Sequence, residues 1–410
     1  MQDLTRRHNL EFIMGSARIG TPHLLSGLIA GVLAGVILAA GLIAAIRIER
    51  HALTWTAPQV FQLKNQGLAF QRAAARESNV LPLYGSSELI LGPISQRGGY
   101  FFRNAPTGFE LSPVGKPGAT TATILQKIAA LGSDLRGKKV AISLSPAWFL
   151  MPGERMDWYE GNFSPLIANE LAFGTALDFE LKRQIASRML QFPDTLEKTP
   201  LLEFALRRLS SEHWIDRLIF CAVWPVGRLY TAALELQDHF AAVKHILYAT
   251  RTAPARQRPI PERPKLSTTT AGAKVVSQAE SEKTPALVTP VAAGSYDKAF
   301  VTRLNKAPAW ADLELLLRTL AKIGAKPLLI SMPMDGQFYD QEGVSRLARE
   351  AYYKRLRVIA QPYHFALIEF EKYDEDPDFL DKQHTHLTGK GWMSYDRALD
   401  DFFHGRVARN

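Results

Sequence analysis

Two stretches of this chain carry the residue types of a serine–histidine–aspartate site: Leu81-Pro-Leu-Tyr-Gly-Ser-Ser-Glu-Leu89 and, far downstream, Asp381-Lys-Gln-His-Thr-His-Leu-Thr-Gly-Lys-Gly-Trp392. A serine hydroxyl is a weak nucleophile at neutral pH, so it needs a base within hydrogen-bond reach and a third group that orients the base. In the first stretch an apolar run over 80–83 is followed by Gly85, Ser86 and Ser87. That is the pattern of a strand ending in a tight turn, which can hold a hydroxyl at the carboxyl edge of a sheet. Glycine and serine populate any turn, so the pattern gains weight only from the second stretch. There Asp381 precedes two imidazoles, His384 and His386, and Thr388 is placed to cap a final helix that would hold His386 at the sheet edge.

A His-x-His beside an aspartate is also a metal-site pattern, because alternate residues of a strand point the same way. No cysteine ligand set accompanies it, and Asp374, Asp376 and Asp378 read as an acidic loop. The expectation is therefore no metal and no cofactor.

The elements that must position these residues are read from patterning. Residues 52–79 suggest a helical connection leading into the first strand. A loop at Val114-Gly-Lys-Pro-Gly-Ala-Thr-Thr121 precedes a helix over 122–131, so its N–H groups can face an anion. Residues 139–144 are a buried strand. Helix–strand alternation resumes with a helix over 313–323, a strand over 327–330, a helix over 345–360 and a strand over 365–368. This order predicts a parallel sheet with helices on its faces, with the site assembled from both halves of the chain.

The remaining segments have other characters. Residues 24–46 contain no charged side chain and are long enough to cross a hydrocarbon core of about 30 Å, which predicts one transmembrane helix. Gly27, Gly31 and Gly35 line one of its faces, either as a helix-packing surface or as ordinary membrane-span glycines. The expected division is a cytoplasmic tail over 1–22, the membrane helix over 23–47, a first catalytic part over 48–154, a helical insertion over 155–250, a Pro/Ala/Thr-rich linker over 251–297 and a second catalytic part over 298–410. Within the insertion, the apolar run 218–226 is a buried helix, a groove lining or a membrane contact, with the buried helix favoured. The net charge of +9 owes +4 to residues 251–284, and no basic run is interleaved with aromatics, so nucleic-acid binding is not expected. The single cysteine, Cys221, excludes an intrachain disulfide.

Several motifs, in order, make the chain resemble the DltD family, the D-alanyl-transfer component of the Dlt system, within the wider SGNH hydrolase class. They are Tyr84-Gly-Ser-Ser-Glu-Leu89, Leu144-Ser-Pro-Ala-Trp-Phe149, Leu181-Lys-Arg, Leu190-Gln-Phe-Pro193, Trp310-Ala-Asp-Leu-Glu-Leu-Leu316, Ile330-Ser-Met-Pro, Phe338-Tyr-Asp340 and His386-Leu-Thr-Gly-Lys-Gly-Trp392. The resemblance implies an α/β fold, SGNH-hydrolase-like (flavodoxin-like), of three α/β/α layers around a parallel sheet. It implies Ser87 as nucleophile, with the backbone N–H groups of Ser87 and Gly118 as oxyanion donors. Glu88, Ser145 and Trp148 are the expected substrate contacts. The asparagine that assists in SGNH enzymes has no counterpart in Ser145-Pro-Ala-Trp148. The family's Asp-x-x-His rule selects His384, whereas the spacing to Trp392 selects His386. His386 is favoured as base with Asp381 as orienter, and His384 is kept as the alternative.

The same resemblance implies an acyltransferase anchored in the bacterial inner membrane, its catalytic domain extracytoplasmic. It would move D-alanyl or similar acyl groups onto an envelope glycopolymer. The implied partners are a membrane O-acyltransferase, a D-alanyl carrier protein and the glycopolymer acceptor. Two other readings stay open: an esterase or thioesterase that removes acyl groups, and a non-catalytic scaffold for the O-acyltransferase.

Overall fold

The computed structural model describes residues 21–60, 67–151, 153, 155–252 and 291–407. Helices α1 (Thr21–Val60) and α2 (Leu68–Arg76) lead into strand β1 (Val80–Gly85), followed by α3 (Gly98–Asn104), β2 (Glu110–Gly115), α4 (Thr121–Leu131) and β3 (Lys139–Leu144). Six helices come next: α5 (Met156–Asn162), α6 (Pro165–Phe173), α7 (Phe179–Met189), α8 (Pro193–Leu196), α9 (Pro200–Ser210) and α10 (Trp214–Thr252). The chain closes with α11 (Asp297–Lys306), α12 (Ala309–Ile323), β4 (Lys326–Ser331), α13 (Gly336–Gln341), α14 (Arg346–Ala360), β5 (Ala366–Glu369) and α15 (Gly389–Phe403).

The five strands form one parallel sheet in the order β2-β1-β3-β4-β5. From β1 the chain moves outward to β2, then returns past β1 to β3 and continues the other way. Loops leaving β1 and β3 therefore part in opposite directions at the carboxyl edge, where parallel α/β sheets leave a crevice. Side chains alternate between the faces, as the strand period requires. Leu81, Leu83, Ala141, Leu328 and Ile330 meet Trp392, Tyr395 and Leu399 of α15 on one face. Tyr84, Val140, Ile142 and Leu329 meet α4, α12 and α14 on the other.

The strands expected over 139–144, 327–330 and 365–368 and the helices expected over 122–131, 313–323 and 345–360 are present. Strand β2 has no counterpart among the expected elements. Ser112 and Pro113 interrupt its apolar pattern, and Pro113 is tolerated because β2 is an edge strand, where a missing N–H leaves no ladder bond unmade.

The long helix α1 is continuous for 40 residues. Its stretch His23–His51 is long and apolar enough to cross a membrane, and so, by length and composition, is Trp214–Tyr248 of α10. A Cβ added at Gly27, Gly31 or Gly35 would meet nothing within 4 Å, so the small-residue face is uncovered by the described chain. The 218–226 run departs from the buried helix that its pattern favours: Leu218 and Val226 are exposed and Phe220 alone of its large residues is buried, against Phe173 and Phe179. Just past the apolar run of α1, Glu49 is buried and bonds His239 Nδ1 of α10 at 2.8 Å. Residues 1–20 of the expected tail and residues 253–290 of the Pro/Ala/Thr-rich stretch lie outside the described residues.

Candidate active site

Strand β1 is buried along its whole length and stops at Gly85. In the turn after it, the Ser86 N–H donates to Glu88 Oε1 at 2.8 Å and the Ser86 hydroxyl donates to the Lys116 carbonyl at 3.2 Å. With Ser86 and Glu88 both turned inward, Ser87 is the residue of the turn left half-buried. Its Oγ lies 3.2 Å from His386 Nε2.

The histidine is placed from the other end of the chain. Thr388 caps α15 by accepting the Gly391 N–H at 3.3 Å. Immediately upstream, Leu380 and Leu387 form an antiparallel bridge, and the Asp381 N–H donates to the His386 carbonyl at 2.8 Å. Asp381 and His386 are thus cross-strand neighbours, and the residues between them form a turn in which His384 takes φ 61°. The two residues that lengthen the spacing from Asp381 are absorbed there. Asp381 Oδ2 lies 3.5 Å from His386 Nδ1, and Thr385 Oγ1 lies 3.3 Å from the same nitrogen. His386 is buried.

His384 is directed elsewhere. Its Nδ1 lies 2.7 Å from Asp335 Oδ2, and its ring stacks on Phe338 at 4.5 Å between centroids. Asp335 also accepts the Phe338 N–H at 2.9 Å, which caps α13. The two imidazoles therefore serve different carboxylates, and Ser87 is within reach of His386.

The serine and histidine segments are also joined directly. The Trp392 Nε1–H donates to the Leu91 carbonyl at 3.0 Å. At Gly92, φ is 94° and an added Cβ would sit 2.6 Å from both the Leu387 carbonyl and Trp392 Nε1. Only glycine allows that approach.

Among the other expected site residues, Gly118 has φ 81° in a turn closed by the Ala119 N–H on the Lys116 carbonyl at 2.9 Å, leading into the Thr120 cap of α4. Ser145 is half-buried at the end of β3. Glu88 and Trp148 depart from the expectation of substrate contact: both are buried, Trp148 in the hydrophobic core and Glu88 beneath the serine turn. Asp374, which the sequence pattern places in an acidic loop, is structural. It accepts the Tyr353 hydroxyl at 2.6 Å and the Met334 N–H at 2.9 Å, and burial pushes its carboxyl up to about 7. It steadies the loop that carries Asp335, a role that no spacing in the sequence signals.

An imidazole whose Nδ1 faces a carboxylate keeps its proton there and leaves Nε2 as the acceptor for a hydroxyl. Such an arrangement can draw the proton from Ser87 as its oxygen attacks an acyl group.

Comparison with known proteins gives concordant matches. The family model described as DltD protein matches residues 57–404. The protein named Protein DltD from Bacillus subtilis (strain 168) is 28% identical over 374 residues, 88% of this chain and 91% of its own. Protein DltD from Staphylococcus aureus (strain NCTC 8325 / PS 47) is 24% identical over 350 residues, 82% of this chain and 83% of its own. Protein DltD from Lacticaseibacillus rhamnosus is 21% identical over 303 residues, 70% and 69% respectively.

Proposed function

The chain belongs to the DltD family, and from that membership and the geometry of its serine turn we propose a serine-dependent acyltransferase of the SGNH type. In this reading it moves D-alanyl or a similar acyl group from a thioester or ester donor onto a hydroxyl of a cell-envelope glycopolymer. The observation that carries it is the alignment of Ser87 Oγ, His386 and Asp381, at 3.2 Å and 3.5 Å, on the carboxyl edge of the sheet. The strand order is that of flavodoxin-like sheets, whose ligands sit at this edge.

His386 takes the Ser87 proton as Ser87 Oγ attacks the acyl carbon, while the N–H groups of Ser87 and Gly118 receive the developing oxyanion. Collapse expels the donor's thiol or hydroxyl, protonated by His386, and leaves an acyl-Ser87 ester. The acceptor hydroxyl then gives its proton to His386, attacks the ester and restores the serine. Asp381 orients His386 and balances its charge; a separation of 3.5 Å is long for a hydrogen bond and closes when substrate is bound. The His23–His51 stretch of α1 anchors the chain in the inner membrane with the catalytic domain outside the cytoplasm. The partners are the carrier protein, the membrane O-acyltransferase and the polymer. The helices of 155–250 form an insertion in one catalytic domain made of 48–154 and 298–410.

The test is the intact mass of the full chain in detergent after incubation with a D-alanyl-carrier thioester. One acyl adduct is expected on the wild type and on His384→Ala, and none on Ser87→Ala or His386→Ala. An adduct that survives Ser87→Ala, or that His384→Ala alone abolishes, rules this assignment out.

A further inference from the structure

Beneath the serine turn lies a set of buried polar groups that the acyl-transfer steps do not use. Glu88 is 3% exposed, and its side chain folds back over Gly85 so that Oε1 receives the Ser86 N–H at 2.8 Å. Ser143 of β3 and Tyr395 of α15 are buried beside it, and Asp396, next along α15, is buried close to Gly98. The hydroxyls of Ser143 and Tyr395 and Asp396 Oδ1 are buried with no hydrogen-bond partner among the described residues, an arrangement native interiors seldom leave without a purpose. The Ser143 side chain neighbours both the Glu88 carboxyl and the Tyr395 hydroxyl.

The groups acting on Glu88 are amides and one hydroxyl, with no cation among them. An ionised carboxylate is strongly disfavoured in such a place, and burial raises the Glu88 carboxyl above its ordinary range. Tyr395 beside it is shifted upward by burial too, as is Asp396 next along α15. A neutral carboxyl, unlike a carboxylate, has one atom that accepts and one that donates. That pattern matches an amide on one side and an unpartnered hydroxyl on the other.

We propose that Glu88 is a positioning residue for the nucleophile: as an uncharged acid it accepts the Ser86 N–H and donates its proton to the Ser143 hydroxyl, which fixes the turn that aims Ser87 Oγ at His386. Ser143 in turn donates its own hydrogen bond to Tyr395, so β1, β3 and α15 are tied together under the reacting oxygen. This rests on the reading of Ser87 as nucleophile. It predicts that ionising Glu88 loosens the turn, so reactivity declines at alkaline pH.

The experiment measures the rate of labelling by a fluorophosphonate, which reports an activated serine whatever the natural acyl group. It uses the full chain in detergent and compares wild type, Glu88→Gln, Glu88→Ala and Ser87→Ala across pH. The amide of Glu88→Gln preserves both hydrogen bonds and cannot ionise. It should label within about 3-fold of wild type at neutral pH and lack the alkaline decline, while Glu88→Ala should fall by about 10²-fold, the cost of a misplaced reacting group. The infrared difference between wild type and Glu88→Gln at neutral pH should contain the carbonyl band of a protonated carboxylic acid, a readout that holds even where Glu88→Ala does not fold. A carboxylate band in its place, wild-type reactivity in Glu88→Ala, or an unchanged alkaline decline in Glu88→Gln overturns the proposal. Wild type labelled no faster than Ser87→Ala refutes the serine reading itself, whatever the infrared band.

Discussion

A shift of two residues in the turn between Asp381 and His386 would put a different imidazole, His384, in the place of His386. The sequence supplies the right residue types, but its two spacing rules disagree, because each presumes a backbone path between the aspartate and the helix. The bridge between Leu380 and Leu387 makes Asp381 and His386 cross-strand neighbours, with His384 in the left-handed region within the turn. The two carboxylates can be separated by experiment. In Asp381→Asn the amide no longer holds the imidazole in the tautomer the serine needs, and acylation of Ser87 should fall by about 10²- to 10⁴-fold with stability little changed. Asp335→Asn, which touches His384, should cost less than about 10-fold in the same assay. Equal losses in the two variants would mean that both imidazoles work in one relay. Glu88 is legible in the sequence as a residue of interest, but not as a buried one: a charged side chain next to a nucleophile reads as exposed until the fold places it under a turn.

Helix α15 holds the histidine segment at one end and buries Asp396 along its length. Burial raises the Asp396 carboxyl to about 8, so the folded chain keeps a proton that the unfolded chain releases near pH ~4. The folded state therefore loses stability as pH rises from about 4 to about 8, and the loss is complete above that. Asp396→Asn removes the titration. Its unfolding free energy should match wild type near pH ~4 and exceed it increasingly up to about pH 8, with a gap on the order of 5 kcal/mol. A constant offset across that range would mean that Asp396 is not the titrating group. Spacing and the Thr388 cap make this helix readable in the sequence. Strand β2 is not readable in the same way, since a proline in a short run marks a loop unless one knows that the run lies on a sheet edge.

At the scale of the molecule, the segment from α5 to α10 is tied to the sheet layer by a buried pair: Arg188 Nε bonds Asp312 Oδ1 at 2.7 Å, and a second guanidinium nitrogen bonds Oδ2 at 3.0 Å. Both residues sit in or beside motifs that carry the family resemblance, yet nothing in their spacing shows that α7 and α12 meet. Asp312 remains pushed above its ordinary range by burial even with the guanidinium beside it, so removing Arg188 strands a carboxyl in the interior. Arg188→Leu should destabilise the fold by roughly 3–5 kcal/mol in chemical denaturation, and Arg188→Leu with Asp312→Leu should recover much of that. A single variant as stable as wild type would show the pair to be dispensable. Helix α1 acts over a longer distance. It is a single helix of 40 residues, about 60 Å long, and the Glu49–His239 contact bolts the body of the protein to it just past the apolar stretch. Where that stretch lies in a bilayer, helix and body must tilt as one lever: a lean of about 20° to suit a thinner membrane swings the serine turn sideways and changes its height above the lipid. Bilayer thickness would then set the position of the serine turn relative to the lipid surface, without any residue of the turn being altered.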